Sequence, residues 1–262
     1  MIPQNKNSVL HKYFPAKYIP IFPAKYIPAM ISGLALTFCF PKANLSYLVF
    51  FALVPWLVSM GSMTSRESFY SGFITGFFYF ITLIYWIVPT LHEYGGLHLA
   101  LAVSTLILLC FYLSLYPAIF AYLLKRMGVN YWIAPIAAAC VWSGLEYIRT
   151  YAFTGFSWGA LGYSQYTNLL LIQIADFSGV YGVSFLIVLI NYLLADLWLS
   201  LKKGLYKKHI VPIVYTAIVF FGAIFYGNQK IDILNAQIEN AQKPTLRLVQ
   251  GNIKQNLKWS EE

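Results

Sequence analysis

Seven apolar stretches alternate with short polar loops along the chain, and this alternation predicts its secondary structure. A helix that crosses a bilayer needs about 20 mostly apolar residues, within a range of about 17–25. The first two stretches are shorter, so they predict a tight pair of tilted or shallow helices. The predicted helices cover residues 29–40, 45–60, 69–90, 97–124, 131–148, 180–201 and 210–226. The expected fold class is an all-α integral membrane protein with about seven transmembrane helices.

Positive charges in the short loops predict the orientation of these helices. With seven spans, eleven Lys and Arg residues fall on one side, and the loops of the other side carry Lys42 and Arg149. Cytoplasmic loops of membrane proteins are enriched in Lys and Arg. We therefore expect a cytoplasmic N-terminus and place the tail after Tyr226 on the outer side.

Composition supports this interpretation and narrows the classes of function. Hydrophobic residues make up 59% of the 262 residues and charged residues 10%, whereas soluble domains carry about 25% charged residues. The low charge content excludes an ordinary soluble enzyme, a disordered tail and a disulfide-rich secreted module. The net charge of +9 comes from cations placed between apolar stretches, so it indicates membrane topology rather than binding to nucleic acid.

Three regions are expected along the chain. Residues 1–28 form a basic cytoplasmic arm with the motif FPAKYIP twice, which we interpret as a local duplication. Residues 29–227 form the transmembrane domain, in which a large outer loop over 149–179 is rich in glycine and aromatic residues and is expected at the membrane interface. Residues 228–262 form a linker and an alternating segment at 245–250, which predicts the first strand of an α/β domain. We expect that domain to be unfinished, because few residues follow.

Few side chains suggest chemistry by themselves. Glu146 and Arg149 are three positions apart, so they share a helix face and can form an ion pair, or Arg149 can hold a lipid phosphate. Asp176 is expected to cap the sixth helix or to brace the outer loop. The four histidines and three cysteines lack the spacing of metal ligands, so we expect no metal site.

Several motifs together make the sequence recognisable. They are Phe40-Pro41 with Pro55-Trp56, YLSLY at 112–116, GFSW at 155–158, GYSQ at 162–165, QIAD at 173–176, GVYGVSF at 179–185 with Asn191, and VQGNI at 249–253 with Lys258-Trp259. In these motifs and their order the chain resembles the N-terminal, membrane half of the apolipoprotein N-acyltransferases. The outer-loop motifs and the VQGNI tail are the most specific of them.

The resemblance implies a function for the whole enzyme. Members of the family move an acyl chain from a phospholipid to the α-amine of the lipidated N-terminal cysteine of a lipoprotein, at the outer face of the bacterial inner membrane and without a cofactor. A Glu-Lys-Cys triad in a nitrilase-like domain does the chemistry. The resemblance places this triad after Trp259, and Cys39, Cys110 and Cys140 all lie in apolar stretches, where a thiol stays protonated. We therefore assign no catalytic residue and expect no acyltransferase activity from this chain alone.

Binding residues and partners are implied in the same way. Trp158 and Trp259 match aromatic positions near the mouth of the family's active site, with anchoring at the membrane interface as their alternative role. Glu146, Arg149 and Gln165 are further candidates for substrate binding. The implied partners are a membrane phospholipid as acyl donor and the diacylglyceryl cysteine of an apolipoprotein as acceptor. The alternative function is a noncatalytic membrane scaffold that pairs with a separately encoded nitrilase-like chain.

Overall fold

The computed structural model describes residues 23–201, 209–241 and 244–253, and every regular element within these ranges is helical. The first copy of the FPAKYIP motif, the loop 202–208 and Trp259 lie outside the described residues. The α-helices are α1 (Ile27–Phe38), α2 (Val49–Ala52), α3 (Val54–Met60), α4 (Ser65–Leu83), α5 (Ile87–Pro89), α6 (Leu99–Met127), α7 (Ala134–Tyr151), α8 (Leu169–Ile172), α9 (Ala175–Leu201) and α10 (Ile210–Asn240). Short 3-10 turns occupy Ala24–Tyr26, Ser46–Leu48 and Leu161–Gln165, and a π-helical turn occupies Thr90–Tyr94.

Three of these helices, α6, α9 and α10, are long and apolar enough to cross a membrane. A fourth span results if α4 and the segment Ile87–Tyr94 are taken together across the 56° bend that separates them. Together with the composition, these helices identify a helical membrane protein, which confirms the predicted class. The total of seven spans stays a prediction.

Close contact between α4 and α6 organises the bundle. A Cβ atom built on Gly72 would lie 2.3 Å from the carbonyl oxygen of Pro117, and one built on Gly76 would lie 2.8 Å from the Cα atom of Ser114. Glycine lets two helix backbones approach closely, and such contacts drive helix association in membranes. These two glycines therefore fix the separation of α4 and α6.

The short helices α2 and α3 are held by a buried side chain of α9. Asn191 is fully buried, and its Oδ1 accepts a hydrogen bond from the backbone N–H of Leu53 at 3.0 Å. Its Nδ2 donates to the carbonyl oxygens of Val49 at 2.8 Å and Ile187 at 2.9 Å. Because the helix breaks at Leu53, the N–H of Leu53 and the carbonyl oxygen of Val49 need a partner from elsewhere. Asn191 supplies it.

Side-chain contacts join helix ends at two opposite ends of the bundle. At one end the ammonium of Lys25 lies 2.5 Å from the Glu67 carboxylate, and Lys125 donates to the carbonyl oxygen of Met60 at 2.9 Å. At the other end Asp176 accepts from Lys230 at 2.7 Å. Asp176 thus links α9 to α10, so it braces neighbouring helices rather than the outer loop alone.

The C-terminal part differs from the sequence-based expectation in two ways. Helix α10 continues to Asn240, well past the predicted end of the seventh span at Tyr226, because a helix keeps its backbone hydrogen bonds when its side chains become polar. The strand expected over 245–250 is not formed: residues 244–253 are exposed and have no regular structure. A strand needs another strand to pair with, and the described part of the chain contains none.

Candidate functional site

A cavity of about 730 Å³ opens where the C-terminal ends of α1 and α4 meet the loop that follows α7. Its walls are mostly apolar and aromatic, and they include Phe38, Phe40, Leu83, Trp86, Trp158, Tyr163 and Tyr166. Pockets for small molecules and lipids in proteins have about this volume and this kind of lining. The cavity is therefore the first candidate for a ligand site.

The loop after α7 is shaped by glycine so that Trp158 stands at the cavity rim. Gly159 has a φ of +73°, and a Cβ atom there would lie 2.9 Å from a methyl carbon of Leu83. The carbonyl oxygen of Gly159 accepts a hydrogen bond from the Tyr79 hydroxyl at 3.1 Å, which ties the loop to α4. The Trp158 ring packs 5.6 Å from the Trp86 ring, yet 59% of the residue stays exposed.

Glu146 and Arg149 lie beside the cavity wall and do not form the expected ion pair. Glu146 Oε1 accepts hydrogen bonds from the indole N–H of Trp142 and the backbone N–H of Leu161, both at 2.9 Å. The Arg149 guanidinium lies instead 5.1 Å from the centre of the Phe80 ring, in a cation–π contact. The expectation of an ion pair is wrong: the hydrogen bonds at Oε1 hold the carboxylate toward Trp142 and Leu161, while the guanidinium lies on Phe80.

Burial makes the position of this pair unusual. Glu146 is 4% exposed and Arg149 is 3% exposed. Glu146 Oε2 and two guanidinium nitrogens of Arg149 find no hydrogen-bond partner within the residues that the structure describes. Both side chains line a small internal space of about 20 Å³ beneath Gly159, which also lines the large cavity. The structure thus places Glu146 and Arg149 behind the cavity wall and outside its lining.

Gln165 stabilises the loop that forms part of the cavity wall. It is fully buried, and its Nε2 donates to the carbonyl oxygen of Ser46 at 2.8 Å and to Ser164 Oγ at 3.2 Å. This contact joins the loop after α7 to the turn before α2. Of the five candidate site residues, Trp158 alone lines the cavity, whereas Trp259 lies outside the described residues.

Lys42 is a cavity residue that the sequence analysis did not propose as a ligand contact. It is the one Lys or Arg in the described lining of the cavity, and its ammonium donates to the Tyr85 hydroxyl and lies 4.6 Å from the centre of that ring. A signal for it was present in the sequence, because Lys42 and Arg149 are the two cations in loops of the predicted outer side. A cation in an outer loop indicates topology, but it does not by itself indicate a ligand contact.

The described residues offer binding groups at this site rather than a reactive centre. Cys39 and Cys110 are fully buried, and Cys140 is exposed on α7, away from the cavity lining. No group of three or more His, Cys, Asp or Glu that could hold a metal ion occurs within the described ranges. The arrangement is suited to holding an apolar chain beside a cation.

Comparison with known proteins decides the family. The sequence-family model of the apolipoprotein N-acyltransferase N-terminal domain matches residues 32–193, which is more than half of the chain. The chain belongs to the apolipoprotein N-acyltransferase family. It is 37% identical over 236 residues to the apolipoprotein N-acyltransferase of Geobacter metallireducens, covering 88% of this chain and 44% of that protein. It is 33% identical over 235 residues to that of Nitrosomonas europaea, covering 89% of this chain and 44% of that protein.

These apolipoprotein N-acyltransferases confirm the resemblance drawn from the motifs, and with it membership in an acyltransferase family of lipoprotein biosynthesis. The chain spans less than half the length of the two curated relatives. The match at 32–193 contains every residue that lines the large cavity, from Thr37 to Tyr166. The cavity is thus built entirely from the N-terminal domain of the family.

Proposed function

We propose that this chain forms the membrane part of a phospholipid-dependent N-acyltransferase, which acylates the lipidated N-terminal cysteine of apolipoproteins. The relatives from Geobacter metallireducens and Nitrosomonas europaea are both named apolipoprotein N-acyltransferase, which supports N-acyl transfer as the class of reaction. The observation that carries the proposal for this chain is the apolar cavity of about 730 Å³, with a cation in its lining and a tryptophan at its rim.

In this proposal the cavity holds part of the donor phospholipid. The apolar wall from Phe38 and Leu83 can pack against an acyl chain of the donor, and the dispersion contacts replace those that the chain makes with lipid tails in the bilayer. The Lys42 ammonium has donors left besides the one it gives to Tyr85, and these suit a phosphate group. Trp158 has the position of an interfacial aromatic that covers the chain where it enters.

We further propose that Glu146, Arg149 and Gln165 act on this site from behind. Glu146 holds the backbone N–H of Leu161, and Gln165 holds the turn at Ser46, so both fix the loop that carries Trp158. Arg149 packs on Phe80 beneath Gly159 and supports the same loop. Trp259 is proposed to contact the substrate, on the strength of the family motif alone.

The proposed topology places the cavity at the outer face of the bacterial inner membrane. It comprises seven membrane-embedded segments in a transmembrane domain of residues 29–227, with the arm 1–28 in the cytoplasm and the region 228–262 outside. The distribution of Lys and Arg supports this orientation. Lys25 and Lys125 support it further, since both contact the segment from Met60 to Glu67 at the end of the bundle away from the cavity.

We place the nucleophile outside these 262 residues. Cys39, at the end of α1, and Cys110, within α6, are fully buried, and Cys140 lies exposed on α7, outside the cavity lining. A noncatalytic scaffold that pairs with a separately encoded nitrilase-like chain would use the same cavity. Purified chain in phospholipid vesicles, given a peptide with a diacylglyceryl cysteine, is expected to transfer no acyl group. Formation of the triacylated peptide by the chain alone would contradict this.

Photocrosslinking tests the cavity proposal. A phospholipid with a photoreactive acyl chain should label peptides from residues 37–43 and 157–166 of the wild-type chain. Trp158→Ala and Lys42→Gln should each reduce this labelling by about 2-fold to 10-fold, as expected for one aromatic or charged contact. Trp132→Ala and Lys25→Gln change exposed residues outside the cavity and should leave it unchanged. Labelling spread evenly over the helices, or insensitive to both cavity variants, would contradict the proposal.

A further inference from the structure

A second, separate groove of about 600 Å³ runs along the outside of the bundle between α7 and α10, with α9 as its floor. Cys140 and Ser143 of α7 line one side, and Val219 and Gly222 of α10 line the other. The lining is almost wholly apolar, and none of it belongs to the large cavity. Its existence therefore needs an explanation of its own.

The groove is wide because α10 packs sparsely against the bundle. A Cβ atom built on Gly222 would meet no atom within 4 Å, and residues such as Val219 and Phe221 on the same helix are exposed. A space between helices costs the dispersion contacts of the side chains that line it unless other atoms occupy it. In a membrane, lipids surround the bundle and can enter such a space.

One end of the groove carries charge of both signs. Tyr226 and Phe177 line this end, and the Tyr226 hydroxyl donates to Asp176 Oδ2 at 2.6 Å. Lys230 lies one turn further along α10 and donates to the same oxygen at 2.7 Å. The ion pair is about one-third exposed on each side, so two further N–H donors of Lys230 remain for another acceptor.

We propose that a phospholipid of the surrounding bilayer binds this groove, with one acyl chain between α7 and α10 and its phosphate at Lys230. The charge of Lys230 complements the phosphate, and Tyr226, which lines this end of the groove, is of a residue type that favours the headgroup region. The bound chain completes the packing of α10 against α7 and α9. This lipid is a structural ligand, and its binding does not depend on the acyl-transfer proposal.

Two glycines of the chain provide a matched pair of variants. Gly222 lines the groove and a Cβ atom there meets no protein atom within 4 Å, so Gly222→Leu adds a side chain that competes with the acyl chain. Gly144→Leu adds the same side chain on the exposed surface of α7, outside the groove and equally free of neighbours. Native mass spectrometry of the detergent-purified full chain, after incubation with phosphatidylglycerol, then counts retained lipid.

Gly144→Leu is expected to retain as many phosphatidylglycerol molecules per chain as wild type, and Gly222→Leu is expected to retain one fewer, because the affinity of the groove falls by about tenfold or more. Lys230→Gln should abolish the preference for phosphatidylglycerol over diacylglycerol, whereas Lys25→Gln at the far end of the bundle should keep it. Equal retention by Gly222→Leu, no retention by wild type, or a wild-type dimer that Gly222→Leu converts to a monomer would each overturn the proposal. Trp158→Ala should leave the difference between wild type and Gly222→Leu unchanged, which separates the groove from the cavity.

Discussion

Glu146 and Arg149 are buried one turn apart on α7, and each uses its charge on a different partner. The Glu146 carboxylate accepts from Trp142 and from the backbone of Leu161, whereas the Arg149 guanidinium stacks on Phe80. The carboxylate therefore fixes where the chain re-enters the bundle after the loop at the cavity rim. This gives Glu146 a structural effect that reaches the large cavity through the loop.

Replacing Glu146 should destabilise the protein because two buried donors lose their acceptor. We expect Glu146→Ala to lower the free energy of unfolding by about 2–5 kcal/mol. Glu146→Gln keeps an oxygen at the position of Oε1 and should cost less than Glu146→Ala. Thermal or denaturant unfolding in detergent measures both values. The exposed Glu93→Ala serves as control, and a loss no larger than in this control would show that the hydrogen bonds of Glu146 do not contribute.

Asn191→Leu should separate the short helices α2 and α3 from α9. The leucine is close to asparagine in size, but it leaves the N–H of Leu53 and the carbonyl oxygen of Val49 unpaired in the interior. Each such group costs about 1–3 kcal/mol. Hydrogen exchange should accelerate in the peptide that contains Leu53. Asn228→Leu changes an exposed asparagine and should leave exchange there as in wild type.

Two glycines should respond to alanine with opposite signs. Gly72→Ala forces a methyl group against the carbonyl oxygen of Pro117, so we expect it to lower stability by about 1–3 kcal/mol or more. Gly144→Ala has open space around its Cβ, so the higher helix propensity of alanine should raise stability by up to about 1 kcal/mol. Melting temperatures of both variants in one detergent test this contrast. If both variants change stability in the same direction, the close approach of α4 to α6 at Gly72 is not what limits this position.

Reporter fusions test the proposed orientation. A reporter enzyme that folds and works only outside the cytoplasmic membrane, fused after Lys230, should be active, and the same reporter fused after Arg126 should be inactive. The expectation follows from the excess of Lys and Arg on the side of the N-terminus. A silent fusion after Lys230 would mean that the number of spans is wrong by one. Activity of both fusions would refute the assignment of the loop after α6 to the cytoplasm.

The hydrophobic pattern predicted helix limits well where a local sequence feature sets them. The expected start of the sixth helix at residue 180 coincides with a break at Gly179, whose φ of +62° interrupts α9. Glycine marks such a break in the sequence because it alone adopts this backbone conformation freely. Helix α10 extends past Tyr226 to Asn240, since loss of apolar character at Tyr226 signals the limit of a membrane segment and not of a helix.

Contacts within the site were harder to predict. Spacing shows that Glu146 and Arg149 share a helix face, but it cannot show that Leu161, fifteen positions further along, donates to Glu146, or that Arg149 packs on Phe80. The resemblance drew attention to Trp158, which lines the cavity in the structure. Lys42 reaches the same cavity from the turn after α1, and a meeting of two distant turns is set by tertiary packing that periodicity does not encode.

The length of α10 fixes a distance as well as a fold. At 1.5 Å per residue its 31 residues extend about 46 Å, whereas the hydrocarbon core of a bilayer is about 30 Å thick. Beyond the contact of Tyr226 with Asp176, the helix continues for about 20 Å to Asn240. It therefore acts as a rigid spacer, and the residues from 244 onward start at a height above the bundle that the helix sets.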